Sequence, residues 1–429
     1  MNYSFLPDLS ALTILIAILL VLRKRHRQEQ ADIWLLGLFF TLAEAIAHTF
    51  YAPTGIPAKT LHVIVVDCYL LAGLVFTWAS GNHALPHKSR LLYLALNGLP
   101  LLALNTAYGL NIRTVNPYIP VLIAGLIIGP ATSLYLRRNW RFALLFLGGW
   151  FFLAVLVYSG HYREAIYWSL SCVYTIAAIN FYQRLPRSST GKLAILTGFS
   201  IWALCLLLHP WVVRYPTYSD IVSHIWNMQK SLISIGMILV MLEEQVSSNE
   251  WLALHDELTG LPNRRLFADR LSNAIERSRR TKSSLALLML DLDGFKKIND
   301  SFGHPAGDQV LRELASNLRK SVRASDTLAR LGGDEFIIVA NDLAEGNSIE
   351  RFVDAIRTAV EKPMNIDGQT MTLSASLGIA IYPDDTEDPI KLVRIADQRM
   401  YALKHKTVSL PKARTDLSTN PALYQKISE

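Results

Sequence analysis

Two adjacent carboxylates, Asp334 and Glu335, are the residues whose types and spacing best suit chemistry in this sequence. They follow two glycines and lie between two apolar runs, 327–331 and 336–340, which are typical of β-strands. A glycine pair between such runs predicts a tight hairpin, because glycine adopts positive φ without strain. Since glycine has no side chain, a phosphate could approach the backbone here. A solvated hairpin without a function would fit the same residues, so the interpretation depends on the other segments.

A second acidic segment follows the apolar run 285–290, which has the pattern of a strand buried on both faces. The run ends in Asp291, and the chain then turns into a predicted helix. If this strand and the hairpin are neighbours, Asp291 and Asp334 would face one another. Two carboxylates at an open pocket suit Mg²⁺, which takes further ligands from substrate phosphates. Backbone N–H groups at 294–296 would offer a phosphate site at a helix N-terminus. The combination predicts nucleotidyl transfer.

Six ordered segments of the sequence resemble the GGDEF-domain diguanylate cyclases. They are residues 256–265, 291–299, 302–308, 329–336, 374–380 and 396–404. Six segments in the family's order and spacing are far more specific than one short motif. The resemblance covers roughly residues 255–408. It implies an α/β sandwich whose mainly antiparallel, palm-like sheet is shared with nucleotide cyclases and polymerases. The implied reaction joins two GTP molecules into cyclic di-GMP and releases two pyrophosphates.

Within this domain the sequence predicts five helices and four strands. The helices are expected near 262–279, 295–302, 306–322, 347–361 and 389–404. The strands are expected near 285–291, 327–331, 336–340 and 371–382.

The resemblance also implies roles for single residues. It places Mg²⁺ or Mn²⁺ at Asp291, Asp334 and the backbone carbonyl of Leu292, with Asp334 and Glu335 as the catalytic carboxylates. It implies contacts to the substrate at Asn299, Asp308 and Lys404. The glycine turn and the predicted helix start add Gly332, Gly333, Phe295 and Lys296. Among these, an amide and a carboxylate, Asn299 and Asp308, would satisfy the mixed donor and acceptor edge of guanine.

Two further segments of the domain, residues 405–408 and 323–326, can each be interpreted in two ways. The family usually continues with Gly-Arg-Asn shortly after the lysine, whereas residues 405–408 read His-Lys-Thr-Val. Either Lys406 substitutes for the absent arginine or triphosphate binding is weaker. Arg323 and Asp326 match the family's inhibitory Arg-x-x-Asp, which implies a site for the cyclic di-GMP product. The alternative is a solvated helix end, where arginine complements the helix dipole.

Composition divides the chain into two regions. Of its 429 residues 51% are hydrophobic and the mean hydropathy is +0.25, both high for a soluble protein. Apolar segments of about membrane-spanning length recur in the first part of the chain. They are 5–22, 33–52, 61–79, 91–110, 117–136, 141–158, 164–182, 193–213 and 222–242. Residues 1–242 are therefore predicted to be an all-α transmembrane helical bundle with a sensor role.

Lysine and arginine predict the orientation of this bundle. They concentrate in every second loop, beginning with the loop after the first segment. This alternation predicts an N-terminus outside and a cytoplasmic catalytic domain in a bacterial inner membrane. The sequence pI of 9.2 then reflects this topology and anionic lipid rather than a nucleic-acid partner.

Ionisable residues inside the predicted bundle are Glu44, His48, His62, Asp67 and Lys230. Such residues are costly in a membrane and usually face the bundle interior. They predict either a site for a small ligand, proton or metal, or hydrogen bonding between helices. The sequence does not decide between these readings.

Residues 243–254 contain neither proline nor glycine and are predicted to extend the ninth helix as a signalling linker. The tail, residues 409–429, is predicted to be disordered. Catalysis is expected to need a homodimer. Two other functions stay open, a silent receptor for GTP or cyclic di-GMP and a transporter or channel regulated by its cytoplasmic domain. A phosphodiesterase is not expected, because no second catalytic domain follows.

Overall fold

The computed structural model describes residues 6–25, 29–50, 56–80, 86–186, 189–341, 348–366 and 368–406. These residues form two compact units, divided in the chain between Gln245 and Val246. The predicted disordered tail, 409–429, lies outside the described residues.

The first unit is built from helices. They are α1 (Leu6–Arg25), α2 (Glu29–Thr49), α3 (Ile56–Ser80), α4 (His87–Gly109), α5 (Ile119–Tyr135), α6 (Trp140–Tyr158), α7 (Tyr162–Arg184), α8 (Thr190–Val212) and α9 (Pro216–Leu254). The last nine residues of α9 belong to the second unit. Among the described residues, these nine helices are long and apolar enough to cross a membrane. Each predicted segment overlaps one of them. Crossing itself stays a prediction from length and composition.

Close packing fixes helix α9 against helix α8. A Cβ added to Gly191 would lie 2.6 Å from the carbonyl oxygen of Gly236, and one added to Gly236 would lie 2.9 Å from the carbonyl oxygen of Gly191. Small residues at such a crossing let two helix backbones approach, which is typical of helix pairs in membranes. Helix α9 is one continuous helix to Leu254, so residues 243–254 are helical within it.

The second unit contains the remaining elements. They are α10 (Arg264–Thr281), β1 (Leu285–Leu292), α11 (Phe295–Phe302), α12 (His304–Ser321), β2 (Thr327–Gly332), β3 (Glu335–Ala340), α13 (Ser348–Val360), β4 (Met364–Ile366), β5 (Gln369–Met371), β6 (Ala375–Tyr382) and α14 (Pro389–Lys406). Four strands form one sheet in the order β2-β3-β1-β6, and all neighbours are antiparallel. The predicted antiparallel sheet is confirmed.

Strand β1 lies in the interior of the sheet and is buried along its whole length. Alternate residues of a strand point to opposite faces. Leu288 and Leu290 therefore pack with α12 and α13 on one face, whereas Leu287 and Met289 pack with α10 and α14 on the other. Helices on both faces explain why this strand is uninterruptedly apolar.

Two predicted elements differ from the structure. The strand predicted over 371–382 is two strands, because β5 pairs with β4 in a separate hairpin and β6 pairs with β1. Strands of three residues are too short for their alternation to be recognised in sequence. The helix predicted from 306 begins at His304 instead, since proline is tolerated in the first turn of a helix.

Candidate active site

Strand register brings two of the predicted carboxylates side by side. In the antiparallel pair of β1 and β3, the residue opposite Asp291 is Glu335. Residues directly opposite in such a pair place their side chains on the same face of the sheet. Asp334 precedes this pair by one residue, and besides burial its charge is near enough to raise the pKa of Asp291. Asp334 itself lies in the turn before β3, which begins at Glu335.

The hairpin turn requires its glycines. Gly332 has a φ of 145° and Gly333 a φ of 53°, and residues with a side chain rarely adopt such values. A Cβ built on either residue would meet nothing within 4 Å. The turn is thus open on its outer side, as the approach of a phosphate to the backbone would require.

Arg330 holds this turn in place, a role that the sequence did not assign. Its Nε and Nη2 donate to the carbonyl oxygen of Gly333 at 2.9 and 2.7 Å. Its Nη1 donates to both carboxylate oxygens of Asp256 at 2.8 and 3.0 Å. Burial alone would raise the pKa of Asp256, but hydrogen bonds from Thr259 and Arg330 outweigh burial and lower it. The only sequence signal was that Asp256 and Arg330 both fall in segments shared with the family.

Helix α14 brings Lys404 to the same carboxylates. Lys404 Nζ donates to Asp291 Oδ1 at 2.6 Å. The approach of the helix to strand β6 depends on Gly378, since a Cβ there would lie 2.0 Å from the carbonyl oxygen of Ala396. Lys404, which was predicted to contact phosphate, therefore forms an ion pair with Asp291, which was predicted to bind metal.

Burial and mutual repulsion raise the pKa of two carboxyls in this cluster. For Asp291 the largest cause is burial, the hydrogen bond from Lys404 opposes it, and the charge of Asp334 adds to it. For Glu335 the causes are burial and then the charge of Asp291. Asp397 on α14 also has a raised pKa through burial. Crowded carboxylates with raised pKa values are typical of functional sites.

The donor set fits a hard divalent cation. Asp291, Asp334 and Glu335 supply carboxylate oxygens, the ligand type that Mg²⁺ prefers. The raised pKa values of Asp291 and Glu335 mean that a cation would relieve repulsion between these groups. In the described part of the chain, no group of three or more His, Cys, Asp or Glu could by itself hold a metal ion. The remaining ligands would therefore have to come from the carbonyl of Leu292, water and substrate.

The predicted guanine ligands lie on two adjoining helices. Asn299 is in α11 and Asp308 in α12, and both are half-buried. Gly307 makes this arrangement possible, because a Cβ there would lie 1.9 Å from Asn299 Oδ1. At the start of α11, Phe295 packs against the core and Lys296 is exposed.

Substitution of Gly307 by alanine is expected to raise the GTP KM about tenfold, because the new methyl group displaces Asn299 and guanine loses a hydrogen-bond partner. Steady-state kinetics with GTP and ATP would measure the change and any loss of discrimination. In an Asn299→Ala background, Gly307→Ala should raise the GTP KM by almost nothing more. Equal GTP KM values for Gly307→Ala and wild type would mean that guanine binds elsewhere.

The predicted inhibitory residues share one turn. The backbone N–H of Arg323 donates to Asp326 Oδ2 at 3.0 Å, and that of Asn341 donates to Asp326 Oδ1 at 3.2 Å. Asp326 is 8% exposed, whereas Arg323 is exposed. The carboxylate therefore already organises the loop, and the guanidinium is the accessible member of the pair.

In the first unit, three of the predicted intramembrane groups converge. Lys230 Nζ donates to Glu44 Oε2 at 2.5 Å, and both side chains are almost fully buried. Lys230 also contacts Asn227 Oδ1 at 3.2 Å. These residues and His48 line one small cavity with room for about one water molecule. The other carboxylate oxygen of Glu44, Oε1, is buried and has no hydrogen-bond partner in the described structure.

The other two groups predicted to lie in the membrane, Asp67 and His62, are at a different place in the first unit. Thr106 donates to Asp67 Oδ2 at 2.8 Å, and His62 Nδ1 lies 3.2 Å from the carbonyl oxygen of Gly109. Both contacts join α3 to α4. Asp67 and His62 thus fit the interpretation of hydrogen bonding between helices.

Comparison with known proteins identifies the second unit. Residues 253–409 match the family model described as "Diguanylate cyclase, GGDEF domain". Diguanylate cyclase TpbB of Pseudomonas aeruginosa is 42% identical over 164 residues, which are 38% of this chain and 38% of that relative. The chain thus spans well under two thirds of the length of the relative it matches. Residues 253–409 are a GGDEF domain of the diguanylate cyclase family, and the predicted resemblance is confirmed.

Two solved structures cover the same region. The GGDEF domain of TpbB from P. aeruginosa is 43% identical and covers 35% of this chain and 89% of that one, with a TM-score of 0.35. The GGDEF domain of DgcB from Caulobacter crescentus, in complex with c-di-GMP, is 29% identical and covers 36% and 89%, with a TM-score of 0.34.

Proposed function

We propose that this chain is a membrane-bound diguanylate cyclase, which condenses two GTP molecules into cyclic di-GMP and two pyrophosphates. The observation that carries the proposal is the cluster at the end of β1, where Asp291, Glu335 and Lys404 meet beside the glycine turn. Names of relatives with this domain agree with it, since TpbB is a diguanylate cyclase and the DgcB domain binds c-di-GMP.

Substrate binding is assigned to groups on both sides of this cluster. Asn299 and Asp308 hold the guanine edge, and adenine would leave these groups unpaired. The open turn at Gly332 and Gly333 lets the triphosphate approach the backbone, and N–H groups in the first turn of α11 offer further donors.

Lys404 has to change partners during the reaction. Its ammonium group is bonded to Asp291 in the structure, and it must leave this carboxylate to contact a substrate phosphate. The exchange places a positive charge on the phosphate and returns Asp291 as a cation ligand. Bound by Asp291, Asp334 and the carbonyl of Leu292, Mg²⁺ or Mn²⁺ would lower the pKa of the attacking hydroxyl and neutralise charge on the phosphoryl group.

The reaction needs two copies of the domain, each with one GTP. The 3′-oxygen of one nucleotide forms a bond to the α-phosphorus of the other, and the bond from that phosphorus to the leaving pyrophosphate breaks. A second identical transfer closes the ring. A homodimer with facing domains positions both nucleotides, so most of the acceleration comes from orientation and electrostatics.

The membrane unit is assigned the role of anchor and sensor in a bacterial inner membrane. Nine long apolar helices among the described residues and the alternating Lys and Arg content of the loops support this assignment. The N-terminus would lie outside and the GGDEF domain in the cytoplasm, where GTP is available. The buried pair of Glu44 and Lys230, next to a small cavity, is the most suitable place for a signal to act.

Product inhibition is proposed at Arg323 and Asp326. Arginine can grip a phosphate of cyclic di-GMP bidentately and stack on a purine. Arg323 is exposed, as such a role requires. Product held there would keep the two catalytic domains from facing one another.

Replacement of Arg323 by alanine is expected to sustain synthesis at late times and to weaken product binding about tenfold or more, because a charge-assisted contact to phosphate is lost. Progress curves and cyclic di-GMP titration would measure both effects, and the initial rate should change little. Lys320→Ala, on the neighbouring helix end, is the matched control. Curves that level off equally in both variants and wild type, with GTP still plentiful, would exclude the site.

Turnover by the purified full-length protein tests the proposed function. With GTP and Mg²⁺, we expect a product with the mass of cyclic di-GMP and two pyrophosphates per product. GTP binding without turnover would instead support the silent receptor.

A further inference from the structure

A basic hollow lies in the second unit, apart from the residues of the candidate active site. It has a volume of about 320 Å³. It is lined by His255, Thr259, Gly260, Leu261, Pro262, Arg270, Arg312, Ala315, Ser316 and Arg319. None of the residues assigned to metal, guanine, phosphate or product in the active site belongs to this set.

The charge of the hollow has one sign. Three of its lining residues are arginines, Arg270 from α10 and Arg312 and Arg319 from α12. All three are exposed, and within the described ranges none of them forms an ion pair or a side-chain hydrogen bond. No acidic residue is among those that line the hollow. Three arginines without a carboxylate among the lining residues create a positive potential in a concave site.

Donor groups of the hollow suit phosphate oxygens. Guanidinium groups present planar forks that match phosphate geometry bidentately. The hydroxyl of Ser316, one turn from Arg312 on the same helix, is exposed at the lining and adds a neutral donor. A concave site of this size takes a small anion rather than an extended surface.

Spacing along α12 indicates more than one phosphate group. Arg312 and Arg319 are seven residues apart, so they lie on one face of the helix about 10 Å apart along its axis. A single phosphate is short compared with this separation, whereas a linear di- or triphosphate spans a larger part of it. Three positive charges also match the charge of such an oligophosphate.

We propose that the hollow between α10 and α12 is a second anion site, which binds an oligophosphate group independently of the catalytic site. The group could belong to a soluble di- or triphosphate or to anionic lipid headgroups, which present the same chemistry. This site goes beyond the proposed cyclase activity, and a test by direct binding does not require turnover.

Calorimetry with tripolyphosphate tests the proposal. The full-length protein in phosphatidylcholine nanodiscs is titrated in the presence of EDTA, which suppresses binding through a divalent cation at the catalytic carboxylates. Arg312→Gln/Arg319→Gln is expected to weaken binding about tenfold or more, since two charge-assisted contacts are lost. Orthophosphate should bind about tenfold more weakly than tripolyphosphate. Ser316→Glu, which puts a carboxylate into the hollow, should weaken binding in a second, independent way.

Lys320→Gln is the matched control, since it removes a charge from the same helix without lining the hollow, and it should change affinity less than about twofold. Nanodiscs with added phosphatidylglycerol identify the source of the phosphate. If phosphatidylglycerol weakens the binding of tripolyphosphate to the wild-type protein but not to the double variant, lipid headgroups occupy the same site. Wild-type affinity in the double variant, with melting unchanged, would overturn the proposal. Binding of a polyglutamate peptide through the same arginines, without binding of tripolyphosphate, would also overturn the proposal.

Discussion

Asp334→Ala is expected to lower cyclic di-GMP synthesis about a thousandfold or more. The substitution removes a carboxylate that would share a cation with the reacting phosphoryl group, and such cations contribute several kcal/mol to the transition state. Asp291→Ala should have at least the same effect, because it also frees Lys404 from its partner at 2.6 Å. Single-turnover and steady-state rates with GTP would measure both losses.

Asp384→Ala, an exposed carboxylate in the loop after β6, is the control for removal of an acidic residue from the domain. It should leave the rate unchanged. Circular dichroism and melting curves should show that all three variants remain folded. Near-normal synthesis by Asp334→Ala or Asp291→Ala would mean that the metal and catalytic roles are wrongly assigned.

Glu44→Ala is expected to destabilise the first unit by about 3–5 kcal/mol, because it leaves the ammonium group of Lys230 buried without its partner. Lys230 and Glu44 have side chains that are 4% and 1% exposed, so water cannot replace the lost contact without rearrangement. Denaturant or thermal unfolding of the full-length protein in detergent, followed by tryptophan fluorescence of the first unit, would measure the loss.

The double variant Glu44→Met/Lys230→Met should recover much of this loss, since apolar side chains of similar volume replace both charges. Asp67→Asn is the matched control, because it neutralises another carboxylate of the first unit but retains an acceptor for Thr106. If Glu44→Ala were as stable as wild type, the ion pair would contribute nothing to the bundle.

Much of the GGDEF domain could be predicted because its signals are local. The apolar run at 285–290 predicts a strand buried on both faces, and β1 is such a strand. Gly332 and Gly333 predict a turn with positive φ, and both glycines have it. The short strands β4 and β5 were missed because three residues carry too little alternation.

Other features arise only when distant segments meet. The pairing of Asp291 with Glu335 depends on the register between β1 and β3, and a shift of one residue would change which side chains share a face. The role of Arg330 depends on Asp256, and the position of Asn299 depends on the missing side chain of Gly307. Each is a contact between elements, so no local pattern reports it.

The sequence by itself determined the family of the catalytic domain, its antiparallel sheet and which types of side chain its site contains. Strand patterns, turn residues and ordered motifs each depend on residues that are neighbours in the sequence. Only the tertiary structure decided which polar groups meet. Lys404 and Asp291 are 113 residues apart, and Lys230 and Glu44 are 186 apart. The sequence did not distinguish among the five ionisable residues predicted to lie in the membrane. Packing joins Glu44, His48 and Lys230 at one cavity and leaves Asp67 and His62 between α3 and α4. The reason is that side-chain contacts depend on how helices and strands pack, and packing is a property of the whole fold.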